Sequence, residues 1–565
     1  MSRPRLAPFR DHPEVSVLIV GGGVNGVGLL RELALQGVDA LLVEKSDFCA
    51  GTSAAGTRII HGGLRYLENA EFRLVREALR ERNLLLTTAP HYVKPLATTI
   101  PVLDWTSGII PAVRNFLGIA TKPAGRGALL VKAGLTLYDL LAGRESPLPG
   151  HRFHSRRTAL SLRPKLNPEV VCAATYYDAR VIYPERLCLE LALDAEAASP
   201  QAHALNYVRV QTATGAAVVL RDEVSGETCE VRPRVVANAS GPWIDHTNRD
   251  LGRESSFIGG TKGSHLVLDH PELFEAARGE MIYFANRDGR ICLFYPIVDK
   301  VLAGATDIPT GDPDVVCSED EVAYLLDSIR QVFPAIRVDR SHIVFRLCGV
   351  RPLPRSHALT PGQISRDHSY PVLPPGAGIQ FPIYSLVGGK WTTFRALSEQ
   401  VTDEILRVLG RRRIRDSAHL AVGGGKEYPR SGAETEQWLA RLRQRTGLGS
   451  ERLAGLLDRY GTRAGEVADY LAAGPDDPLA HNAGYSRREI EFIALRERVV
   501  HLDDIVLRRT LMGLLGQTTL GLLEELAAIV GLALEWSPED SAREIERTAR
   551  ILSTVHGVTP AQLGR

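Results

Sequence analysis

Val15-Ser-Val-Leu-Ile-Val20 leads straight into Gly21-Gly22-Gly23-Val24-Asn25-Gly26, and this run decides the reading of the fold. The first six residues are apolar and rich in β-branched types, the composition of a parallel strand covered on both faces. Gly21, Gly23 and Gly26 satisfy GxGxxG. Glycine permits the tight turn and lets backbone approach a pyrophosphate, whose charge the following helix N-terminus favours. That helix carries Leu29, Leu30, Leu33 and Ala34 on one face and stops at Gly37. A second strand over 38–43 ends at Glu44, an acid placed to accept hydrogen bonds from ribose hydroxyls. Strand, glycine turn, helix, strand and acid in this order specify a dinucleotide-binding unit.

Two later stretches choose the dinucleotide. Val235-Val236-Ala237-Asn238-Ala239-Ser240-Gly241-Pro242-Trp243 reads as a strand entering a small-residue turn. Val387-Gly388-Gly389-Lys390 is a second glycine turn before a helix that includes Thr393, Leu397 and Val401. A nicotinamide enzyme usually keeps its cofactor motif in one contiguous half. A cradle assembled from segments this far apart favours FAD.

The rest of the chain bounds the function. A length of 565 residues exceeds one hydrophobic core, so two or three domains are expected. The 67 basic and 66 acidic residues nearly cancel, which leaves no global field for nucleic acid. Seven scattered cysteines show neither CxxC nor metal-like spacing, the pattern of reduced thiols in a cytoplasmic protein without a metal site. Residues 1–13 hold Arg3, Arg5 and Arg10 but no apolar core, so no signal peptide is expected. No apolar run reaches the length of a membrane span.

Residues 106–138 are basic and apolar. They carry Arg114, Lys122, Arg126 and Lys132 among Ile109, Ile110, Val113, Phe116, Leu117, Ile119, Leu129, Leu130, Val131, Leu135 and Leu137. Such a surface suits peripheral contact with an anionic bilayer, here the inner face of the cell membrane; the alternative is a buried helical hairpin. Gly423-Gly424-Gly425 and Pro429 read as a linker. Beyond it, Leu522, Leu523, Leu526, Ile529 and Val530 share one face of a helix in an accessory domain that would support a homodimer.

Thr52-Ser53-Ala54-Ala55-Gly56-Thr57-Arg58-Ile59-Ile60-His61-Gly62-Gly63-Leu64-Arg65-Tyr66-Leu67-Glu68 resembles the signature of the aerobic-type, FAD-dependent glycerol-3-phosphate dehydrogenases. So do 71–79, Lys262-Gly263-Ser264-His265, Gly304-Ala305-Thr306-Asp307, Gly349-Val350-Arg351-Pro352, Ser365-Arg366-Asp367 and His501-Leu-Asp-Asp-Ile-Val-Leu-Arg-Arg-Thr510. The resemblance implies an α/β fold in which a Rossmann-like FAD domain is interleaved with a mixed-sheet substrate domain and followed by an α-helical C-terminal domain. The expected segments are 14–100 and 181–250 for FAD, 101–180 for a substrate cap or membrane contact, and 251–345 for substrate. Residues 346–422 return to the cofactor and substrate site, and 427–565 form the helical domain.

The implied reaction oxidises sn-glycerol 3-phosphate to dihydroxyacetone phosphate and delivers electrons to a quinone. A phosphorylated polyol needs cations, and arginine suits bidentate contacts. Arg65, Tyr66, Thr306, Arg351, Arg366 and Lys390 are the substrate candidates. The cofactor set is Gly21, Gly23, Val24, Asn25, Gly26, Glu44, Lys45, Thr52, Ser53, His61, Gly62, Leu64, Val210, Ala239, Gly241, Gly389, Lys390, Trp391 and Thr392. Removing a hydroxyl proton calls for a base of the histidine kind. His265 is the preferred base, with Arg351 lowering the hydroxyl pKa and His61 the other catalytic candidate. Trp391 departs from the smaller residue expected there; facing the cavity it would change substrate size, and otherwise it packs in the core. The rival readings are an oxidase handing electrons to oxygen, an amine or amino-acid oxidase on the same scaffold, and a flavin-bearing protein without turnover.

Overall fold

The computed structural model describes residues 6–107, 126–143, 146–356, 364 and 366–564. Two sheets and a helical region make up the fold. In the first sheet the strand Glu14–Val20 lies between Ala40–Glu44 and Thr228–Asn238, parallel to both. Ala202–Asn206 extends one side and Ile383–Ser385 the other, again in parallel. The first strand is apolar throughout because both faces are covered. Val17 and Ile19 pack into the core shared with the helices Val24–Leu35, Pro184–Ala198 and Phe394–Leu409. Leu18 and Val20 face the opposite layer, against the hairpin of Val208–Thr214 and Ala217–Asp222. The late strand at 235–238 therefore does rejoin the nucleotide sheet, with Val17 opposite Val235.

The second sheet is mixed and has ten strands. Val93–Val102 pairs antiparallel with Cys172–Val181 and parallel with Met281–Ala285. Thr261–Leu268 lies between Lys300–Gly304 and Ile343–Arg351. Helix Glu319–Val332 covers one face of this sheet and begins at a reciprocal cap between Ser318 and Glu321. The segment boundaries read from sequence need correction in two places. Ile59–Ile60 and Val93–Val102 lie within 14–100 but pair in the second sheet, and the strand that ends at Arg351 does so too. Their partners are distant in sequence, so local pattern could not assign them.

The linker reading of Gly423–Gly425 is also overturned. All three glycines are buried, and a Cβ on Gly424 would lie 1.9 Å from the Tyr460 carbonyl oxygen. They are a close crossing of backbones, where any side chain would clash. The helices beyond, from Gly432–Thr446 to Pro538–Thr554, pack on one another and on the nucleotide layer. The expected stripe is buried on Leu520–Leu534, from Leu522 to Val530. Residues 108–125, most of the stretch read as a membrane contact, lie outside the described residues. Its described end forms the helix Ala128–Ala142, with Val131, Leu135 and Tyr138 buried and Leu129 and Leu140 exposed. Among the described residues no helix is long and apolar enough to cross a membrane, and no cluster of residues suits a metal ion.

Candidate active site

A cavity of about 1500 Å³ opens where the two sheets and the helical region meet. Of the residues singled out in sequence, all but Gly26, Gly62, His265 and Thr392 stand in its wall.

One end is built by the glycine turn. Gly21 has φ +113°, and a Cβ there would meet the Ala239 carbonyl oxygen at 2.6 Å. Gly26 lies behind, pressed on Gly21 so closely that a Cβ would fall 1.9 Å from its oxygen. This contact brings the N-terminus of Val24–Leu35 to the cavity, with Gly23, Val24 and Asn25 in the wall. Asn25 Oδ1 is buried with no hydrogen-bond partner among the described residues. Gly388 and Gly389, at φ +75° and +91°, arch beside it, and Asn25 Nδ2 donates to the Gly388 carbonyl at 3.5 Å. Glu44 accepts from the backbone of Gly22 at 2.6 Å and of Ser46 at 2.9 Å, while burial holds its carboxyl above the usual range. Lys45 Nζ lies 4.2 Å over the Trp243 ring. A glycine cradle at a helix N-terminus, an acid for ribose and a cavity of about 1500 Å³ fit FAD. Residues 21–25 would hold the pyrophosphate, Glu44 the adenosine ribose, and 52–61 with 388–391 the flavin end.

At that end a cation cluster converges. Arg351 closes the strand Ile343–Arg351; its Nη1 donates to Asp307 Oδ1 at 3.0 Å and its Nη2 to the Thr306 carbonyl at 3.1 Å. Arg366 Nη2 reaches Asp307 Oδ2 at 3.3 Å. Burial opposes ionisation of Asp307, yet Arg351 and Arg366 hold its carboxyl below the usual range. Lys390 Nζ is buried, has no hydrogen-bond partner among the described residues, and lies 3.8 Å over the Tyr66 ring. Arg65 approaches the same ring at 5.9 Å. Burial lowers the Lys390 pKa, and Tyr66, Glu71 and Asp178 oppose that shift.

The two candidate histidines separate. His61 lines the cavity and stacks on Tyr66 with centroids 6.2 Å apart. Its backbone N–H donates to Thr392 Oγ1 at 3.1 Å, and that hydroxyl donates to the His61 carbonyl at 3.2 Å. Burial and the nearby Lys390, Arg65 and Arg366 push its pKa down to about 3. His265 is buried outside the wall; its Nε2 lies 3.2 Å from Oγ1 of Thr57, which does line the cavity. Burial and Arg351 bring it to about 3 as well. His265, expected as the base, thus reaches the cavity wall through its contact with Thr57, whereas His61 stands in the wall itself. Gly62 acts behind the wall too, donating to Tyr138 Oη at 3.0 Å and Asp178 Oδ1 at 3.1 Å. Trp391 answers to both readings offered for it. It lines the cavity, packs against the core, and donates from Nε1 to the Ser53 carbonyl at 2.8 Å.

Two residues of the site were not picked out from sequence. Asp307 stood in a quoted motif without a role. Glu321 was visible only as a helix-start acid three places after Ser318, a signal that says nothing about a site. It is almost wholly buried and accepts from Lys262 Nζ at 2.6 Å, Thr306 Oγ1 at 2.7 Å and Ser264 Oγ at 2.8 Å. It thereby fixes the residue whose carbonyl orients Arg351.

Comparison with known proteins agrees with this construction. Residues 16–370 match the family model described as FAD dependent oxidoreductase, and 416–541 that of the C-terminal domain of alpha-glycerophosphate oxidase. A glycerol-3-phosphate dehydrogenase of Synechocystis sp. is 36% identical over 534 residues, covering 89% of this chain and 90% of its own. A D-erythritol 1-phosphate dehydrogenase of Brucella abortus is 30% identical over 87% of this chain and 93% of its own. The crystal structure of a glycerol-3-phosphate dehydrogenase from Bacillus halodurans complexed with FAD shares the fold. Its TM-score is 0.72 over 98% of this chain and 96% of that one, at 21% identity. Cofactor-binding body and helical appendage match in the same order and over nearly the full length, and the chain belongs to the family of FAD-dependent glycerol-3-phosphate dehydrogenases.

Proposed function

We propose that this chain oxidises the secondary hydroxyl of sn-glycerol 3-phosphate to give dihydroxyacetone phosphate, with FAD as hydride acceptor and a quinone as the onward acceptor. The observation that carries the reading is the buried Lys390 ammonium, without a hydrogen-bond partner among the described residues and set with Arg65 and Arg366 around Tyr66. Unpaired buried charge is expensive, and a cation cluster of this kind calls for an anionic ligand. A phosphate dianion answers it, with Arg366 and Arg65 beside Lys390. Arg351, whose fork Asp307 and Thr306 hold fixed, then faces the hydroxyl and favours its ionised form. His61 takes the hydroxyl proton on a ring nitrogen. Its low pKa arises partly from the cations that the phosphate neutralises, so substrate binding itself raises His61 toward the working range. Bound FAD supplies the acceptor for the hydride that leaves the same carbon.

A surface for the onward acceptor has support in the described end of the basic, apolar stretch. Leu129 within that stretch is exposed, as are Leu103, Trp105 and Leu140 flanking it, and Leu129 N donates to the Trp105 carbonyl, so two of them are neighbours. We take this to be where the protein lies on the inner face of the membrane, from which a quinone is drawn.

The decisive experiment is anaerobic. Addition of sn-glycerol 3-phosphate to the purified flavoprotein should abolish the oxidised-flavin band near ~450 nm. A band that persists sinks the substrate assignment. D-Erythritol 1-phosphate in a parallel cuvette tests polyol length, and peroxide formed in step with product would replace the quinone by oxygen.

A further inference from the structure

The segment His501–Thr510 carries charge that the proposed chemistry does not use. Asp47, fully buried, lies just beyond Glu44 in the cofactor loop. It accepts from Arg508 Nε at 2.7 Å and from Arg509 Nη1 and Nη2 at 2.6 and 2.9 Å. Asn206 Nδ2 adds a donor at 3.0 Å. Arg508 Nη2 also donates to Asp503 at 2.8 Å and Asp504 at 2.5 Å, and Arg547 Nε reaches Asp503 at 2.9 Å. Asp504 Oδ1 accepts from Tyr207 Oη at 2.6 Å. Tyr207 follows the strand Ala202–Asn206 with φ +58°, a left-handed conformation that a bulky residue keeps only when its surroundings enforce it. Its backbone N–H donates to the Ser46 carbonyl at 2.9 Å.

The two segments this network grips are neighbours at the end of paired strands, and both stand in the cavity wall. Lys45 and Ser46, with Tyr207 and Val208, stand in the wall beside Glu44, the ribose acid. Asp503, Arg508 and Arg547 line the same cavity. Adhesion between domains is reached more cheaply with apolar contacts, since buried ion networks add little net stability. Such networks do fix geometry, because each carboxylate oxygen has directed donors.

We propose that residues 503–509 of the helical domain are a positioning element for the adenosine half of FAD, acting through Asp47 and Tyr207. The inference rests on the assignment of FAD to this cavity. The helical domain is then part of the cofactor site rather than an appendage.

The test uses the full chain, stripped of flavin and titrated with FAD by fluorescence quenching, alongside thermal melting of the flavin-free form. Arg509→Gln should raise the FAD Kd about tenfold and Tyr207→Phe about threefold, on the scale of lost charge-assisted bonds. Tyr207→Phe removes one of several donors to Asp504, which keeps Arg508 and the backbone N–H groups of Val500 and His501, so its flavin-free melting temperature should fall only slightly. An unchanged FAD Kd in both variants overturns the proposal, as does a loss of affinity matched by equal loss of flavin-free stability in both. If Arg509→Gln does not fold, Tyr207→Phe alone decides by the same two readouts. Wild-type protein that takes up no FAD would instead remove the cofactor assignment itself.

Discussion

Replacing Lys390 by methionine should move function and stability in opposite directions. The side chain keeps its length and apolar stem but loses the ammonium that lies buried over Tyr66 with no hydrogen-bond partner among the described residues. Truncating one member of a desolvated charge pair costs about 2–4 kcal/mol of binding. That corresponds to a fall in kcat/KM for sn-glycerol 3-phosphate of roughly 30- to 1000-fold, carried mostly by KM because the phosphate is remote from the bond being broken. In the substrate-free protein the same ammonium is compensated by Tyr66 and, through space, by Glu71 and Asp178, which together fall short of the burial penalty, since its pKa is lowered. Lys390→Met should therefore melt at or above the wild-type temperature. Steady-state kinetics at saturating acceptor and thermal melting without ligand read the two arms. A KM change under about fivefold, or a clear drop in melting temperature, would refute the picture of Lys390 as a preformed phosphate seat.

Three further outcomes follow from the same geometry. His61→Asn should lower kcat by about 100-fold or more with FAD content unchanged, the size of a lost general base; turnover within tenfold of wild type would move the proton elsewhere. Glu321→Gln should cost about tenfold in kcat/KM by freeing Thr306 and, with it, Arg351, while Glu321→Asp recovers part of the loss; equal loss in both variants would point to helix capping instead. His265 is buried with a pKa near 3, below the ordinary histidine value of 6.5. The unfolded chain therefore binds the extra proton first, so this stability is complete above about pH 6.5 and drains away as pH falls toward 3. By pH 5 the loss is about 2 kcal/mol, and His265→Gln should be less acid-labile than wild type between pH 7 and 5 in melting experiments. A parallel pH dependence would contradict the assignment.

The parts of this molecule that local pattern determines were readable in its sequence. Glu14–Glu44 is one: a continuous apolar strand, three spaced glycines and an amphipathic helix each state their own conformation. The helix Leu520–Leu534 is another, since its stripe follows from periodicity alone. What failed depended on partners far along the chain. Gly423–Gly425 looks like a linker until Tyr460 is known to press on it. Ile59–Ile60 sits among cofactor residues in sequence, yet pairs with Ala179 and Arg180 in the other sheet. His61 and His265 are equivalent as letters in motifs. Only the fold tells them apart, with His61 in the cavity wall and His265 behind it in contact with Thr57. Asp307 was in view, but its role required the register that sets Thr261 opposite Arg351 and so turns two guanidinium groups onto one carboxylate.

The cradle's assembly from residues 21–26, 239–241 and 388–391 bears on how the protein is made. At about 5–20 residues per second, the ribosome delivers the last glycines of the cradle long after the first strand has emerged. Asp47 meets its arginines later still, when residues 508 and 509 arrive. The early βαβ unit thus waits with an incomplete sheet edge and with Asp47 still short of its two arginines. Chains arrested on the ribosome at residue 450 should take up no flavin, and uptake there would show the helical domain to be dispensable for loading. On this reading flavin loading is a late event, and chains that stop before residue 509 should bind FAD more weakly than the full chain.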